Sequence, residues 1–127
     1  MVKQVLIIRK DLNMRRGKEC SQASHSALAF LLHRLKETGR KNQFNITLTP
    51  AEQEWIAAGT TKITLQVENE KELMAIYQKA TGAGLECHLV KDAGKTEFDG
   101  IPTITCLAIG PDEATKIDPI TKDLKLY

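Results

Sequence analysis

The sequence lacks a long apolar run, a paired-cysteine motif and a rich supply of aromatic residues. Its 127 residues include three cysteines, three phenylalanines, two tyrosines and one tryptophan. A membrane-spanning helix needs about 20 consecutive apolar residues, and the apolar stretch at the start of the chain is too short for a secretory signal. We therefore expect a cytoplasmic protein without a membrane partner.

The cysteines, Cys20, Cys87 and Cys106, are odd in number and widely spaced. This spacing does not indicate a zinc site or a redox dithiol, so we interpret all three as reduced core residues. The chain also lacks a glycine-rich phosphate loop and the HExxH and GxSxG motifs. With so few aromatic rings a base-stacking platform is poorly supported, so any RNA contact should be mainly to phosphates and sugars.

Positive charge is clustered, although the formal net charge is only +2. Local clusters, not the total, indicate phosphate binding. Two basic groups stand out, namely Arg9, Lys10, Arg15, Arg16 and Lys18, and then Arg34, Lys36, Arg40 and Lys41. These groups are compatible with a phosphate-binding surface and equally with an ordinary solvated surface.

Hydrophobic periodicity predicts an α/β fold in a single compact domain that covers residues 1–127. Apolar and alternating runs predict four strands, at residues 2–8, 61–67, 85–90 and 103–109. Helical spacing and capping residues predict helices at about 17–37, from the Thr49 cap to about Ala58, and from the Asn69 cap to Gly82. The second and third strands with the helix between them form a βαβ unit, for which parallel strands are expected. The result is a four-stranded sheet with helices on both faces.

On the first helix, Lys18, Gln22 and His25 occupy positions i, i+4 and i+7, which places them in one polar stripe. The stripe begins at the helix N-terminus, where free N–H groups and partial positive charge suit a phosphate or an oxyanion. A solvated helix face gives the same pattern, and a lone histidine is more often structural than catalytic. Spacing alone leaves both interpretations open.

The third strand ends in Lys91 and Asp92, followed by Ala-Gly-Lys-Thr. An aspartate here could orient a water or accept a proton, and the Thr96 hydroxyl could complete the hydrogen bonding of that water. A plain Asp-Ala-Gly turn explains the same residues. Ligands of α/β sheets gather beyond the carboxyl ends of parallel strands. If the first and third strands point the same way, Lys18 and Asp92 meet at one sheet edge.

Several segments, in order and spacing, match one family almost from end to end. They are KQVLIIRKDLNM, GKECSQASHSAL, KITLQV, LVKDAGKT, AIGPDEATKID and TKDLKLY. On these segments the chain resembles the archaeal and eukaryotic peptidyl-tRNA hydrolase 2 family. The resemblance implies a four-stranded mixed sheet, a homodimer, and hydrolysis of the peptide–tRNA ester without metal or organic cofactor. It implies no DNA partner.

The resemblance also implies roles for individual residues. The family's active-site lysine falls on Lys18, its aspartate on Asp92 and its hydroxyl residues on Thr96 and Thr105. Substrate binding is expected from six residues: Gln22, His25, Arg15, Arg16, Lys91 and Lys95. The chain has DAGKT where the family usually has DAGRT, and a lysine cannot form the bidentate phosphate fork of an arginine. The 97–102 loop is one residue longer than usual. Two alternatives stay open: a non-catalytic RNA- or partner-binding protein with this fold, and hydrolysis of another ester or amide.

Overall fold

The computed structural model describes all residues from Met1 to Tyr127, arranged as a main sheet of five strands between two pairs of helices. In chain order the elements are β1 (Val2–Arg9), α1 (Arg16–Arg34), β2 (Lys36–Glu37), β3 (Phe44–Asn45), α2 (Pro50–Ala57), β4 (Lys62–Val67), α3 (Glu70–Gly82), β5 (Cys87–Asp92), β6 (Thr103–Glu113), α4 (Ala114–Thr121) and β7 (Lys125–Leu126). The sheet order is β5-β6-β1-β4-β7, and β2 and β3 form a separate hairpin.

The expected four-stranded sheet is wrong in strand number because β7 adds a fifth strand. This strand pairs antiparallel with β4 through Leu65 with Leu126 and Gln66 with Lys125. The Tyr127 N–H also donates to the carbonyl of Thr64 at 3.1 Å. Two residues are too few to show the period of a strand, so only the pairing with β4 identifies it.

Strand directions bring two distant parts of the chain to one edge of the sheet. β1 is parallel to β4, and β6 is antiparallel to both β1 and β5. The sheet is therefore mixed, as the family resemblance implied, and β1, β4 and β5 point the same way. The expected parallel direction of the second and third predicted strands is confirmed, although β6 and β1 lie between them.

Helices cover both faces of the sheet, as predicted. One face packs against α3 and α4 in a cluster that includes Val5, Leu73 and Ile117, none of which has any exposed surface. Phe30 of α1 and Trp55 of α2 pack on the other face, with ring centroids 5.9 Å apart. Burial of one such apolar side chain contributes about 1.5–3 kcal/mol, so both helix layers stabilise the sheet.

The ends of two helices differ in how they are capped. Thr49 and Glu52 form a full capping box at the start of α2, as expected. No side chain caps α1, whose N-cap residue is Arg15, so its first N–H groups have no side-chain partner. α1 ends at Arg34, earlier than predicted, because Leu35 is extended with ψ of 129°.

The expectation that all three cysteines lie in the core is wrong for Cys20. Cys106 is buried, Cys87 is half-buried against the main core, and Cys20 is exposed on α1. None forms a disulfide. The spacing of α1 placed Cys20 with the apolar residues, but that position faces solvent because Gln22 and Ser26 turn toward the sheet instead. None of the helices combines the length and apolar character that a bilayer crossing requires.

Candidate active site

Lys18 and Asp92 meet at the sheet edge where β1 and β5 end. Lys18 lies in the first turn of α1, and Asp92 is the last residue of β5. The Lys18 ammonium donates to Asp92 Oδ1 at 2.8 Å and to Thr96 Oγ1 at 3.0 Å. The Lys18 and Asp92 side chains are each 14% exposed, so the pair is shielded but still open to solvent. The convergence expected from strand direction is confirmed.

Asp92 accepts two further hydrogen bonds. Gln22 Nε2 donates to Oδ1 at 3.2 Å, and the backbone N–H of Gly94 donates to Oδ2 at 2.8 Å. The hydrogen bond from Lys18 lowers the pKa of Asp92, helped by Gly94 and Gln22 and opposed by burial. Asp92 is therefore a carboxylate at neutral pH, held by three donors.

Gln22 is buried under the ion pair and is held by Thr105. The Thr105 hydroxyl donates to Gln22 Oε1 at 2.6 Å, and the Cys106 thiol donates to the Gln22 carbonyl at 3.4 Å. Thr105 has no exposed surface. A substrate therefore cannot touch Thr105 in this arrangement. Thr105 can affect the site only through its hydrogen bond to Gln22.

Gly94 gives the loop after Asp92 a shape that other residues cannot adopt. Its φ is +82°, and a Cβ at this position would lie 2.4 Å from the carbonyl oxygen of Ile101. Only glycine fits so close an approach without displacing backbone. The turn that was one explanation of Asp-Ala-Gly is thus present, and it also aims the Gly94 N–H at the carboxylate.

A polar depression of about 520 Å³ opens over the ion pair. It has no hydrophobic lining and is formed by Arg15, Gly17, Lys18, Ser21, Gln22, His25, Asp92, Thr96 and Glu97. His25 is exposed at its wall, on the stripe predicted from spacing. Arg15 Nε pairs with Glu97 Oε1 at 3.0 Å across the depression.

The other predicted binding residues lie outside this depression. Arg16, Lys91 and Lys95 are exposed, and none of the three forms an ion pair. Lys91 is opposite Ile104 in the β5–β6 register, and Ile104 packs on the face of α3 and α4, so the predicted role of Lys91 in this site is wrong. The charges of Arg16 and Lys95 are free to attract an anion. Sequence patterns did not single out Ser21 or Glu97. Ser21 lies one turn from Lys18 on the same stripe, and this spacing could have indicated it.

The chemistry of the cluster suits attack on an ester or amide carbonyl. An ionised carboxylate can hold and orient a water, and an ammonium beside it can stabilise negative charge that develops on the carbonyl oxygen. No group of three or more histidine, cysteine, aspartate or glutamate side chains is arranged to share a metal ion.

The chain is similar to known proteins along its full length. The family model described as peptidyl-tRNA hydrolase PTH2 matches residues 2–127. A peptidyl-tRNA hydrolase of Methanocaldococcus jannaschii is 40% identical over 125 residues, which cover 98% of this chain and 99% of the relative. One of Methanopyrus kandleri is also 40% identical, over 99% of this chain and 98% of the relative.

A third relative and one solved structure extend the comparison. The peptidyl-tRNA hydrolase of Nanoarchaeum equitans is 39% identical over the whole of both chains. A solved Agrobacterium tumefaciens protein of unknown function is 12% identical, with a TM-score of 0.58, over 99% of this chain and 97% of that chain. At that identity the solved structure supports the fold alone.

Proposed function

The chain belongs to the peptidyl-tRNA hydrolase PTH2 family and hydrolyses the ester bond of peptidyl-tRNA, and we propose that Lys18, Asp92 and Thr96 carry out this reaction. The observation that supports the assignment is the Lys18–Asp92 ion pair of 2.8 Å. It joins residues 74 positions apart in the sequence. It also lies in the floor of a polar depression that can admit a substrate.

In the proposed mechanism Asp92 holds the attacking water. An ionised carboxylate has about four acceptor positions, and Lys18, Gln22 and Gly94 occupy three of them. The remaining one accepts a hydrogen bond from a single water. Because its pKa is lowered, Asp92 is a weak base, so it orients the water more than it removes a proton.

Lys18 supports the charge that forms during attack. Two of its three ammonium protons point at Asp92 and Thr96, which leaves one for the substrate carbonyl oxygen. The water oxygen bonds to the carbonyl carbon, and the carbonyl oxygen becomes an oxyanion beside the ammonium. Collapse breaks the ester C–O bond. One proton of the attacking water passes to the leaving tRNA ribose oxygen, and the other is released to solvent when the new carboxylic acid ionises. The products are a peptide carboxylate and a free tRNA hydroxyl.

Thr96 and Gln22 align the water and the ester with the ion pair. Thr96 Oγ1 accepts from Lys18, so its own proton is free to donate to the water or the ester. Gln22 keeps one N–H on Asp92, and Thr105 holds the Gln22 amide in that orientation. We assign Thr105 to positioning, because it is fully buried.

Cations beside the site support binding of the tRNA 3′ end. Arg15 lies at the wall of the depression in an ion pair with Glu97, while Arg16 and Lys95, next in sequence to residues that line it, are exposed without acidic partners. Phosphate contacts of this kind give affinity that falls as salt rises. His25 on the wall can hydrogen-bond to the ribose or the base of the terminal nucleotide.

The experiment that tests the site uses N-acetyl-aminoacyl-tRNA as substrate and EDTA-treated protein. We expect release of the N-acetyl amino acid, and a fall in kcat/KM of about 100-fold or more for Asp92→Asn and Lys18→Ala separately. Asp123→Asn and Lys79→Ala, exposed and away from the site, serve as matched controls. Full activity of both site variants would contradict the assignment, and loss of activity with EDTA would contradict a metal-free mechanism.

We further propose that the protein is a homodimer that pairs through α1. Leu28, Leu32 and Leu35 follow one another at i, i+4 and i+7, with exposures of 50%, 61% and 40%. Contiguous exposed apolar patches commonly mark an interaction site. Sedimentation should give a dimer for the unmodified chain and a monomer for Leu28→Ser/Leu32→Ser, and an unchanged mass would contradict this surface.

A further inference from the structure

The hairpin β2–β3 carries a group of exposed cations that the active site does not use. Lys36, Arg40 and Lys41 are exposed, and none takes part in an ion pair. The one acid on the hairpin is Glu37, which leaves an excess of two positive charges over ten residues. Arg40 and Lys41 stand in the turn of the hairpin, so their side chains are presented at its tip.

A groove at the base of the hairpin adds donors to these charges. The groove has a volume of about 240 Å³ and is lined by His33, Lys36, Asn45, Thr47 and one hydrophobic residue, Ile46. Arg34 also borders the groove, but its guanidinium forms ion pairs with Glu52 and Glu86. Arg34 therefore holds the base of the hairpin in place, while Lys36 and the polar side chains remain free for an outside partner.

The hairpin and the active site lie at opposite ends of α1. Arg34 follows Lys18 by 16 positions in α1, which corresponds to about 24 Å along the helix axis at about 1.5 Å per residue. After Glu19 the helix has no acidic residue, so no carboxylate of α1 opposes a polyanion that binds at its two ends. An RNA stem is A-form and rises somewhat less per base pair than the roughly 3.4 Å of B-form DNA, so a stem of about ten base pairs covers this distance.

We propose that this hairpin, with the groove at its base, is a second contact for the phosphate backbone of the substrate tRNA, remote from the ester. The inference rests on the proposed function, because it places the tRNA 3′ end at Lys18 and Asp92. The chemistry favours a polyanion, since the hairpin presents three unpaired cations and only one exposed large apolar side chain, Phe44. An RNA duplex presents its phosphates in a regular row. Basic side chains can bind these phosphates whatever the base sequence.

Such a contact has a distinct kinetic effect. It forms with the body of the tRNA, which does not change during ester cleavage, so it stabilises bound substrate and transition state equally. Its loss therefore raises KM and leaves kcat unchanged. It is also lost when the substrate is too short to reach the hairpin.

The test compares full-length N-acetyl-aminoacyl-tRNA with the same N-acetyl amino acid esterified to the terminal CCA trinucleotide. For Lys36→Ala/Arg40→Ala/Lys41→Ala we expect KM on the full tRNA to rise roughly fivefold or more, with kcat unchanged. Its kcat/KM on the trinucleotide ester should equal that of the unmodified chain. Lys71→Ala/Lys79→Ala/Lys122→Ala, which removes three exposed cations from the opposite face of the sheet, is the matched control and should leave KM unchanged.

Binding of deacylated tRNA, followed by fluorescence anisotropy against salt, tests the contact independently of catalysis. The slope of log K against log salt is negative, and it should become less steep by about two to three in the hairpin variant. In the control variant the slope should equal that of the unmodified chain. An unchanged slope and KM would overturn the hairpin contact and leave an ordinary solvated hairpin. An unmodified chain that cleaves neither ester would instead overturn the proposed site. The binding measurement would then still show whether the hairpin contacts tRNA.

Discussion

Thr105 Oγ1 donates a hydrogen bond to Gln22 Oε1 at 2.6 Å, beneath the Lys18–Asp92 ion pair. This bond determines which end of the Gln22 amide faces Asp92. With its oxygen held by Thr105, Gln22 must present its NH₂ group to the carboxylate, where it donates at 3.2 Å. A reversed amide would place an oxygen against the negative charge of Asp92.

Thr105→Val should therefore lower kcat without removing any group that touches substrate. Valine keeps the volume but not the hydroxyl, so the Gln22 amide loses its anchor and its buried oxygen is left unpaired. We expect kcat to fall about tenfold, and the free energy of unfolding to fall by about 1–3 kcal/mol.

Thr105→Ser is the matched control, because it keeps the hydroxyl and removes only a methyl group. It should retain kcat within about twofold, although the small cavity still costs about 1 kcal/mol of stability. If the serine variant lost kcat as severely as the valine variant, the effect would come from packing and not from the orientation of Gln22.

The pH dependence of stability tests the state of Asp92. The hydrogen bond from Lys18 lowers its pKa below the ordinary value of 3.8. A group whose pKa is lowered by folding adds stability above its unfolded pKa and loses it as pH falls through the folded value. We expect the difference in unfolding free energy between the unmodified chain and Asp92→Asn to stay constant from about pH 8 to pH 5 and to shrink below about pH 4.

Urea denaturation of both chains over this range provides the measurement, and the other carboxylates cancel in the difference. The same lowered pKa means that protonation of Asp92 should not reduce kcat at any pH above about 5. A difference that changed between pH 6 and 8 would show that Asp92 titrates near neutrality, which would favour a general-base role.

Much of the site could be predicted from the sequence because it depends on regular elements. The stripe of Lys18, Gln22 and His25 follows from helical spacing, and the approach of Lys18 to Asp92 follows from the common direction of β1 and β5. What spacing could not show is the burial of Gln22. That burial costs little only because Asp92 of β5 and Thr105 of β6 form hydrogen bonds with its amide group.

The parts of the fold that the sequence did not reveal are short or depend on pairing. β7 has two residues, and so does each strand of the hairpin β2–β3, so none shows a strand period. α4 was not predicted either, and Pro119 lies within it. A proline inside a helical pattern normally indicates a helix boundary, so it hides this helix from periodicity.

Gly94→Ala should damage the site more than its exposed surroundings suggest. The added Cβ would lie 2.4 Å from the Ile101 carbonyl oxygen, so the loop must move and carry its N–H away from Asp92 Oδ2. We expect a fall in kcat of about tenfold or more, with stability lowered by about 3 kcal/mol.

The matched control is Gly100→Ala, because Gly100 also has a positive φ, +75°, but a Cβ there meets nothing within 4 Å. This control carries the backbone strain alone, about 1–2 kcal/mol, and should leave kcat unchanged. Equal kcat values for the two variants would show that the Gly94 N–H is dispensable for Asp92.

The pair formed by Arg34 and Glu52 gives a last prediction, about what holds α1, α2 and the hairpin together. The Glu52 side chain is 1% exposed, and both of its oxygens accept from the Arg34 guanidinium. Glu52 Oε1 also accepts from the Thr49 N–H in the capping box of α2. Removing Arg34 leaves a buried carboxylate without its partner, so Arg34→Leu should lower the free energy of unfolding by about 3 kcal/mol.

Arg40→Leu, in the same hairpin region but exposed and unpaired, should change that energy by less than about 0.5 kcal/mol. The double variant Arg34→Leu/Glu52→Gln should recover part of the loss, because a neutral amide is less costly to bury and can still accept from Thr49. Urea denaturation of the unmodified chain, Arg34→Leu, Glu52→Gln and the double variant gives the coupling energy between the two sites. Strictly additive effects would mean that Arg34 stabilises the fold through packing and Glu86 instead of through the charge of Glu52.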